Sequence, residues 1–467
     1  MMQSIRKSAF GALVLSLTAA GVAGAQVQAT TTVSPATAAT KIITRQLPAA
    51  VATSTDSIGS VAAVRQLPNG NVLINDQARR RVIMLDRNMK MVGVVADSTS
   101  STANAYGVRP GGLLAYRGDS TLFVDPASLS MLVIDPNGKI IRTMAAPRPN
   151  DVNFLTGGAF GNPGFDGMGR LVYRTIDFGM RGGMRPEPGK PFVPPTPPDS
   201  SALVRFDLAT RKLDTAGFFK IPKANVQMTQ TPDGGMRVNV IMNPLPVVDE
   251  WAIMSDGTLA FVRGRDYHVD FVDGGGAKTS ADKIPYEWQR MTDDDKQRFL
   301  DSSKVAIEKQ RATMAAGGAG PSRGGFDGAA AAILGGAAPE RMTITMSRPA
   351  GGEGPPRVEM GTGGRGGPGG GPQPVEMVPA SELPDYKPVF GTGAVKADMD
   401  GRLWVRTIAT KPTTGGAIYD VIDRGGKLVD RVQVPAGTTI AGFGAGGVVY
   451  LGQRDATGLH VQRIALR

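Results

Sequence analysis

Apolar residues in this chain come in short bursts. "VLIND" (72–76), "TLFVD" (121–125), "LVYRT" (171–175), "LAFVR" (259–263) and "LWVRT" (403–407) are each rich in Val, Leu and aromatics and sit beside Gly, Asp, Asn or Pro. Runs of this length between turn residues predict strands, and their frequency predicts an all-β chain. A second burst ending in Asp follows most of them, as in "RVIMLD" and "MLVID". A third, often opened by Lys, comes next, as in "MKMVGVV" and "GKIIRTM".

The bursts repeat as a unit. Gly70, Asp119, Gly169, Gly257, Gly401 and Gly447 mark the hairpin before the first burst, at separations of 49, 50, 88, 144 and 46 residues. A base period near 47–50 suits a propeller blade of four strands. Asp86, Asp135, Asp207, Asp273 and Asp423 close the middle strand, where an aspartate opens a tight turn by accepting from its own downstream backbone. Six such units predict a six-bladed β-propeller of four-stranded antiparallel blades. The sixth unit stops at "LHVQRIAL", one strand short, and "KIITRQLPA" (41–49) is similar to "KIIRTMAAP" (139–147). We therefore expect an N-terminal strand at 41–47, pairing with Leu459–Leu466, to close the ring and leave no open edge.

This layout resembles the six-bladed β-propellers of the NHL and TolB-like type, over residues 41–273 and 383–467. The resemblance implies architecture alone, because that fold hosts binding modules, lyases and lactonases alike.

Two blades are longer than the period. A Pro/Gly-rich stretch separates Arg174 from Asp207, and "NVQMTQTPDGGMRVNVIM" (225–242) alternates around a turn as an extra hairpin would. The insertion at 274–382 contains one good helix, 292–311, with Thr292 as its cap and Lys309 and Arg311 at its end. Residues 315–376 are dominated by Gly, Ala, Pro and Arg, which predicts disorder. In an up-and-down blade both kinds of long connection emerge on one face, which is where a binding surface is expected. The other face has only turns such as "PNGN", "DPNG" and "DRGG".

Composition adds a compartment. Arg6 and Lys7 precede an apolar run, Ala9–Val22, and Ala23-Gly24-Ala25 has the small-x-small form of a cleavage site. This predicts a signal peptide at 1–25, a linker at 26–40, and a monomeric propeller in the periplasm or outside the cell. The absence of cysteine excludes disulfides, thiolate metal sites and an N-terminal lipid-modified cysteine. Net charge is +11, falling to +9 without Arg6 and Lys7. The basic residues are scattered, so the balance points to a protein partner or an anionic envelope polymer and away from nucleic acid.

Chemistry is sparse. His268 and His460, the only two histidines, open third strands, and no nucleophile elbow or HExxH occurs. Asp249 and Glu250 are the only carboxylates at or beside the predicted inner strands "VAAVR", "GGLLAY", "GGAFG", "EWAIM", "GAVKA" and "IAGFG". One acidic pair is poor for a hard cation that wants six or more oxygens. Asp398 and Asp400 mimic part of a calcium loop, but no downstream Glu follows and the place is a hairpin. The expectation is no metal, no cofactor and no catalytic residue; a hydrolase or lyase at the channel mouth is the alternative. Arg174 and Arg406 end their second strands, Arg263 lies one residue further, and Asp76 and Asp125 stand at comparable ends. A mouth acidic beside blades one and two and basic across three to five follows. There, planar guanidiniums would suit a carboxylate or phosphate.

Overall fold

Six four-stranded antiparallel sheets follow one another along the chain. The computed structural model describes residues 42–99, 106–158, 161–175, 198–223, 225–230, 236–316, 342–347, 357–362, 376–410 and 414–466. Blades one to six have inner strands at Ala63–Gln66, Gly112–Ala115, Gly164–Phe165, Glu250–Ile253, Val395–Ala397 and Thr438–Gly444. Blade three begins at Gly164, three residues beyond the expected "GGAFG". The predicted signal peptide and linker lie outside the described residues.

Apolar side chains on both faces of each sheet explain the ring. Every neighbouring pair of blades shares a buried cluster: Leu73 with Phe123 between one and two, Val262 with Val405 between four and five, Trp404 with Phe443 between five and six. Tyr450 with Val72 and Ile74 joins blade six to blade one, so the series closes on itself. Burial of each such side chain contributes roughly 2–3 kcal/mol.

Closure is N-terminal, with a different register from the expected one. Ala52–Thr53 pairs with Arg463 and Gln462, flanked by Val51 N–H donating to Arg463 O at 2.8 Å and Ser54 N–H to Val461 O at 2.9 Å. His460 clamps the strand through Nδ1 to Ser54 O at 2.9 Å. The expected segment, Thr44–Gln46, instead lies parallel to Arg431–Gln433 as a fifth strand on blade five, held by Arg45 to Asp430. The likeness of "KIIT" to "KIIR" reports strand propensity, which does not choose a partner.

Turn chemistry fixes one face. Asp86 Oδ1 accepts from the N–H groups of Asn88 and Lys90, Asp135 from Asn137 and Lys139, and Asp423 from Gly425 and Lys427. Gly138 and Gly426 stand at φ +82° and +78° in those turns, the left-handed region that favours glycine. Asp398, weighed as part of a calcium loop, accepts from Asp400 N–H, Arg402 N–H and Trp404 Nε1, a hairpin staple.

On the opposite face the insertions build a cap. The predicted hairpin exists as Asn225–Gln230 with Met236–Ile241. Met342–Ser347 and Arg357–Thr362, two short strands within the stretch 315–376, extend it into a four-stranded sheet. The rest of 317–375 lies outside the described residues, as does 176–197. Lys278–Ser280, assigned to the insertion, is the fourth strand of blade four; it is exposed and polar, so no apolar pattern announced it. The helix, α1, runs Asp293–Ala316, so Lys309 and Arg311 lie inside it. Thr292 and Asp295 form its capping box: Asp295 N–H reaches Thr292 Oγ1 at 3.2 Å and Thr292 N–H reaches Asp295 Oδ2 at 3.0 Å. Leu300 anchors the helix against Leu245, Met291, Val378 and Leu383. Among the described residues, no helix is long and apolar enough to cross a membrane.

Candidate functional site

Strand register decides where each candidate side chain goes. In blades one to five the last inner-strand residue pairs with the first of the second strand, so positions along the second strands are directly comparable. Arg174 and Arg406 are fourth in theirs; Asp76, Asp125 and Arg263 are fifth in theirs. Successive strand residues point to opposite faces of the sheet. The one-residue offset therefore splits the five candidates into two sets.

The fifth-position set is tied into neighbouring loops. Asp76 is fully buried, accepts from the N–H groups of Gly59, Ser60 and Arg79, and pairs with Arg81 at 3.0 Å. Asp125 is buried and accepts from Ala127 N–H and Ser128 Oγ. Arg263 contacts Asp249 at 2.9 Å and Asp270 at 2.7 Å, donates to Phe218 O and lies over the Phe261 ring. Asp249 also receives Gly264 N–H. Asp76 and Asp125 thus add no exposed acidic charge to the mouth beside blades one and two, and Arg263 straps blade four to blade three.

The fourth-position set meets a carboxylate. Glu250 opens the inner strand of blade four, is buried, and accepts from Gly393 N–H at 2.7 Å. Burial pushes its pKa up to about 7, against the pull of that N–H and of the Arg174 and Arg406 guanidiniums; Asp249 adds to the rise. Arg174 is buried, stacks 5.4 Å above the Phe219 ring, and is pushed down to about 10 by burial, against the attraction of Glu250. Arg406 is exposed. Lys396, in the inner strand of blade five, is half-buried; burial lowers its pKa, helped by Arg406 and opposed by Glu250. Beside Gly393, the Thr392 hydroxyl is buried without a hydrogen-bond partner among the described residues.

Blades three, four and five therefore place three cations within electrostatic range of one buried carboxylate, which stands at the end of the ring where the long connections emerge. Lys396 was missed by reading strand ends alone. Its signal was a lysine inside "GAVKA", an otherwise small and apolar inner strand. His268 lies between Asp266 and Asp270, and His460 is spent on the closing strand. Among the described residues no three His, Asp or Glu side chains gather as a metal site.

No protein-family model matches the chain, and no curated protein matches it significantly in sequence. Solved structures similar to it include virginiamycin B lyase from Staphylococcus aureus, at 11% identity and TM-score 0.32, over 88% of this chain and 97% of that one. A gluconolactonase from Xanthomonas campestris has 10% identity and TM-score 0.32, over 90% and 99%. A calcium-binding protein, regucalcin, from Agrobacterium tumefaciens has 12% identity and TM-score 0.34, over 91% and 97%. Likeness of this degree carries no ligand, substrate or residue role to this chain.

Proposed function

We propose that this chain is an exported propeller that binds a ligand bearing a carboxylate or phosphate, at the mouth framed by blades three to five. The observation that carries the reading is that Arg406, Lys396 and Arg174, from blades three and five, all act electrostatically on the buried Glu250 of blade four. Arg406, exposed, and Lys396, half-buried, are the direct contacts. Arg174 is buried behind Glu250 and works through it, as a positioning residue. Arg263, Asp76 and Asp125 are left out of the direct site because their polar atoms are already engaged. Export follows from the signal-like N-terminus, and the occupant is then met outside the cytoplasm.

Glu250 makes the binding pH-dependent. Its carboxylate repels an incoming anion when ionised and stops doing so when protonated, so affinity rises as pH falls from 8 to 6. A titration with oligoglutamate against oligoglutamine, which has the same backbone without charge, tests this. Binding of oligoglutamate alone, weakened tenfold or more by Arg406→Gln and flattened in pH by Glu250→Gln, is the expected outcome. Equal binding of both peptides, or an unaffected Arg406→Gln variant, refutes the site.

A second reading draws on the same carboxylate. A glutamate titrating near 7 beside a lysine of lowered pKa is what proton transfer at neutral pH requires, which favours a lyase or hydrolase at this mouth. Turnover lost in Glu250→Gln with ligand binding retained would separate the enzyme from the binder.

A further inference from the structure

The penultimate inner-strand residues of the six blades are Arg65, Leu114, Gly164, Ala252, Lys396 and Phe443, each paired with the second residue of its second strand. They form one level of the ring. Four are small or apolar, and the two in blades one and five are cationic. An inner strand has its own blade behind it and a neighbouring blade on either side, so the exposed part of a half-buried residue there faces the axial bore. Arg65 and Lys396 are both half-buried.

Among the described residues, neither cation has a hydrogen-bonded or ion-paired partner, and Arg65 Nε is buried without an acceptor. The countercharge that acts on Arg65 is Asp119, in the first hairpin of blade two, without forming an ion pair. Uncompensated charge in such a place costs several kcal/mol, and a purely structural position would be filled by an apolar residue, as in the other four blades. The turn-face arginines show the contrast: Arg117, Arg170 and Arg205 all donate to a backbone carbonyl of a neighbouring turn.

This level lies two strand residues from the level of Glu250 and Arg406, or roughly 7 Å along the axis. We propose that Arg65 and Lys396 form a second anion subsite inside the bore, so that the ligand is a small molecule with two anionic groups in line, entering end-on from the mouth. The proposal rests on the mouth reading above for its first anionic group. Lys396 stands on the Arg65 level and acts electrostatically on Glu250 and Arg406 at the other, so it contacts both groups.

Linear dicarboxylates of graded length, from malonate to suberate, test it on the full chain by calorimetry, with monocarboxylates of matching length as controls. Affinity should peak at an intermediate length, and Arg65→Gln should cost the best dicarboxylate tenfold or more while leaving monocarboxylates unchanged. Arg406→Gln should weaken both. A second readout does not depend on ligand: Arg65→Met should raise the melting temperature of the ligand-free protein, since it removes an unpaired cation. Monocarboxylates binding as well as every dicarboxylate, with Arg65→Gln silent, overturns the bore subsite and leaves the mouth intact. No binding of either class, or of oligoglutamate, overturns both. Binding of oligoglutamate alone places the ligand across the mouth and overturns the end-on geometry.

Discussion

The two ends of this ring use the same residue types in opposite ways. On the turn face, Asp166 accepts from Met168 and Arg170 N–H, holds Arg170 at 2.7 Å and Arg205 at 3.3 Å, and both arginines then reach blade four, at Gly274 O and Asp273 O. Arg424 links blade five to blade four through Asp256 and Ser255. Each of these groups finds partners in the turns themselves, although Arg205 Nε makes no hydrogen bond beyond its ion pair with Asp166. On the loop face, among the described residues, Glu250 receives a single hydrogen bond, from Gly393, and titrates near neutrality, Lys396 has no partner, and Arg406 is exposed. A saturated network stabilises, whereas one left short of partners has affinity to spare for something else.

The comparison depends on a closed ring, so the largest effect should come from opening it. A truncation that begins at residue 51 removes the fifth strand of blade five but keeps the closing strand, and should melt within a few degrees of the full chain. One that begins at residue 59 also removes Ala52–Thr53, the Ser54–His460 clamp and buried Ile58, and exposes the edge at Leu459–Ile464. Aggregation or a loss of ten degrees or more, followed by thermal unfolding and light scattering, is expected. If the two truncations behave alike, closure does not lie at 51–58.

Next in size is the turn face itself. Asp166→Ala would leave Arg205, 4% exposed, beside Arg170 with no carboxylate between them, at a cost of about 3–5 kcal/mol. Anion affinity at the far mouth should be unchanged. A drop in affinity that matches the loss of stability would mean the two faces are not independent, and the contrast between them would fail.

The ring was legible because it is written in local signals. Aspartates at turn starts, glycines at positive φ and bursts of Val and Leu act within a few residues, so "GRLWVRT" and "GRLVYRT" declare equivalent strands over two hundred residues apart. Closure was half legible. A strand was missing and the N-terminus supplied it, but Thr44–Gln46 and Ala52–Thr53 are both short edge strands, and only tertiary hydrogen bonding assigns each its blade. The site was less legible still. Arg174, Arg263 and Arg406 look alike as letters at strand ends, and the difference lies in parity: one residue of offset sends Arg263 to Asp249 and Asp270, and its two counterparts toward Glu250. Glu250 was noticed as a carboxylate on an inner strand, but its burial, and so its chemistry, belongs to the packing of three blades.

The smallest effect is the most specific to the loop face. Glu250 has a folded pKa of about 7, raised by burial from its ordinary 4.5. Below pH 4.5 the group is protonated in both states and has no influence on stability. Between 4.5 and 7 the unfolded chain loses that proton and the folded chain keeps it, so stability falls as pH rises, and above 7 the loss is constant. Its size is roughly 3 kcal/mol at most. Glu250→Gln should remove this slope while keeping an oxygen for Gly393 N–H, so the measured quantity is the difference between stabilities at pH 5 and pH 8 in each protein. That difference cancels any fixed cost of leaving Arg174 without its countercharge. The wild type should lose more stability than the variant over this interval. If instead the wild type gains stability with pH relative to the variant, the ion pairs to Arg174 and Arg406 outweigh burial, and the mouth is as saturated as the turn face.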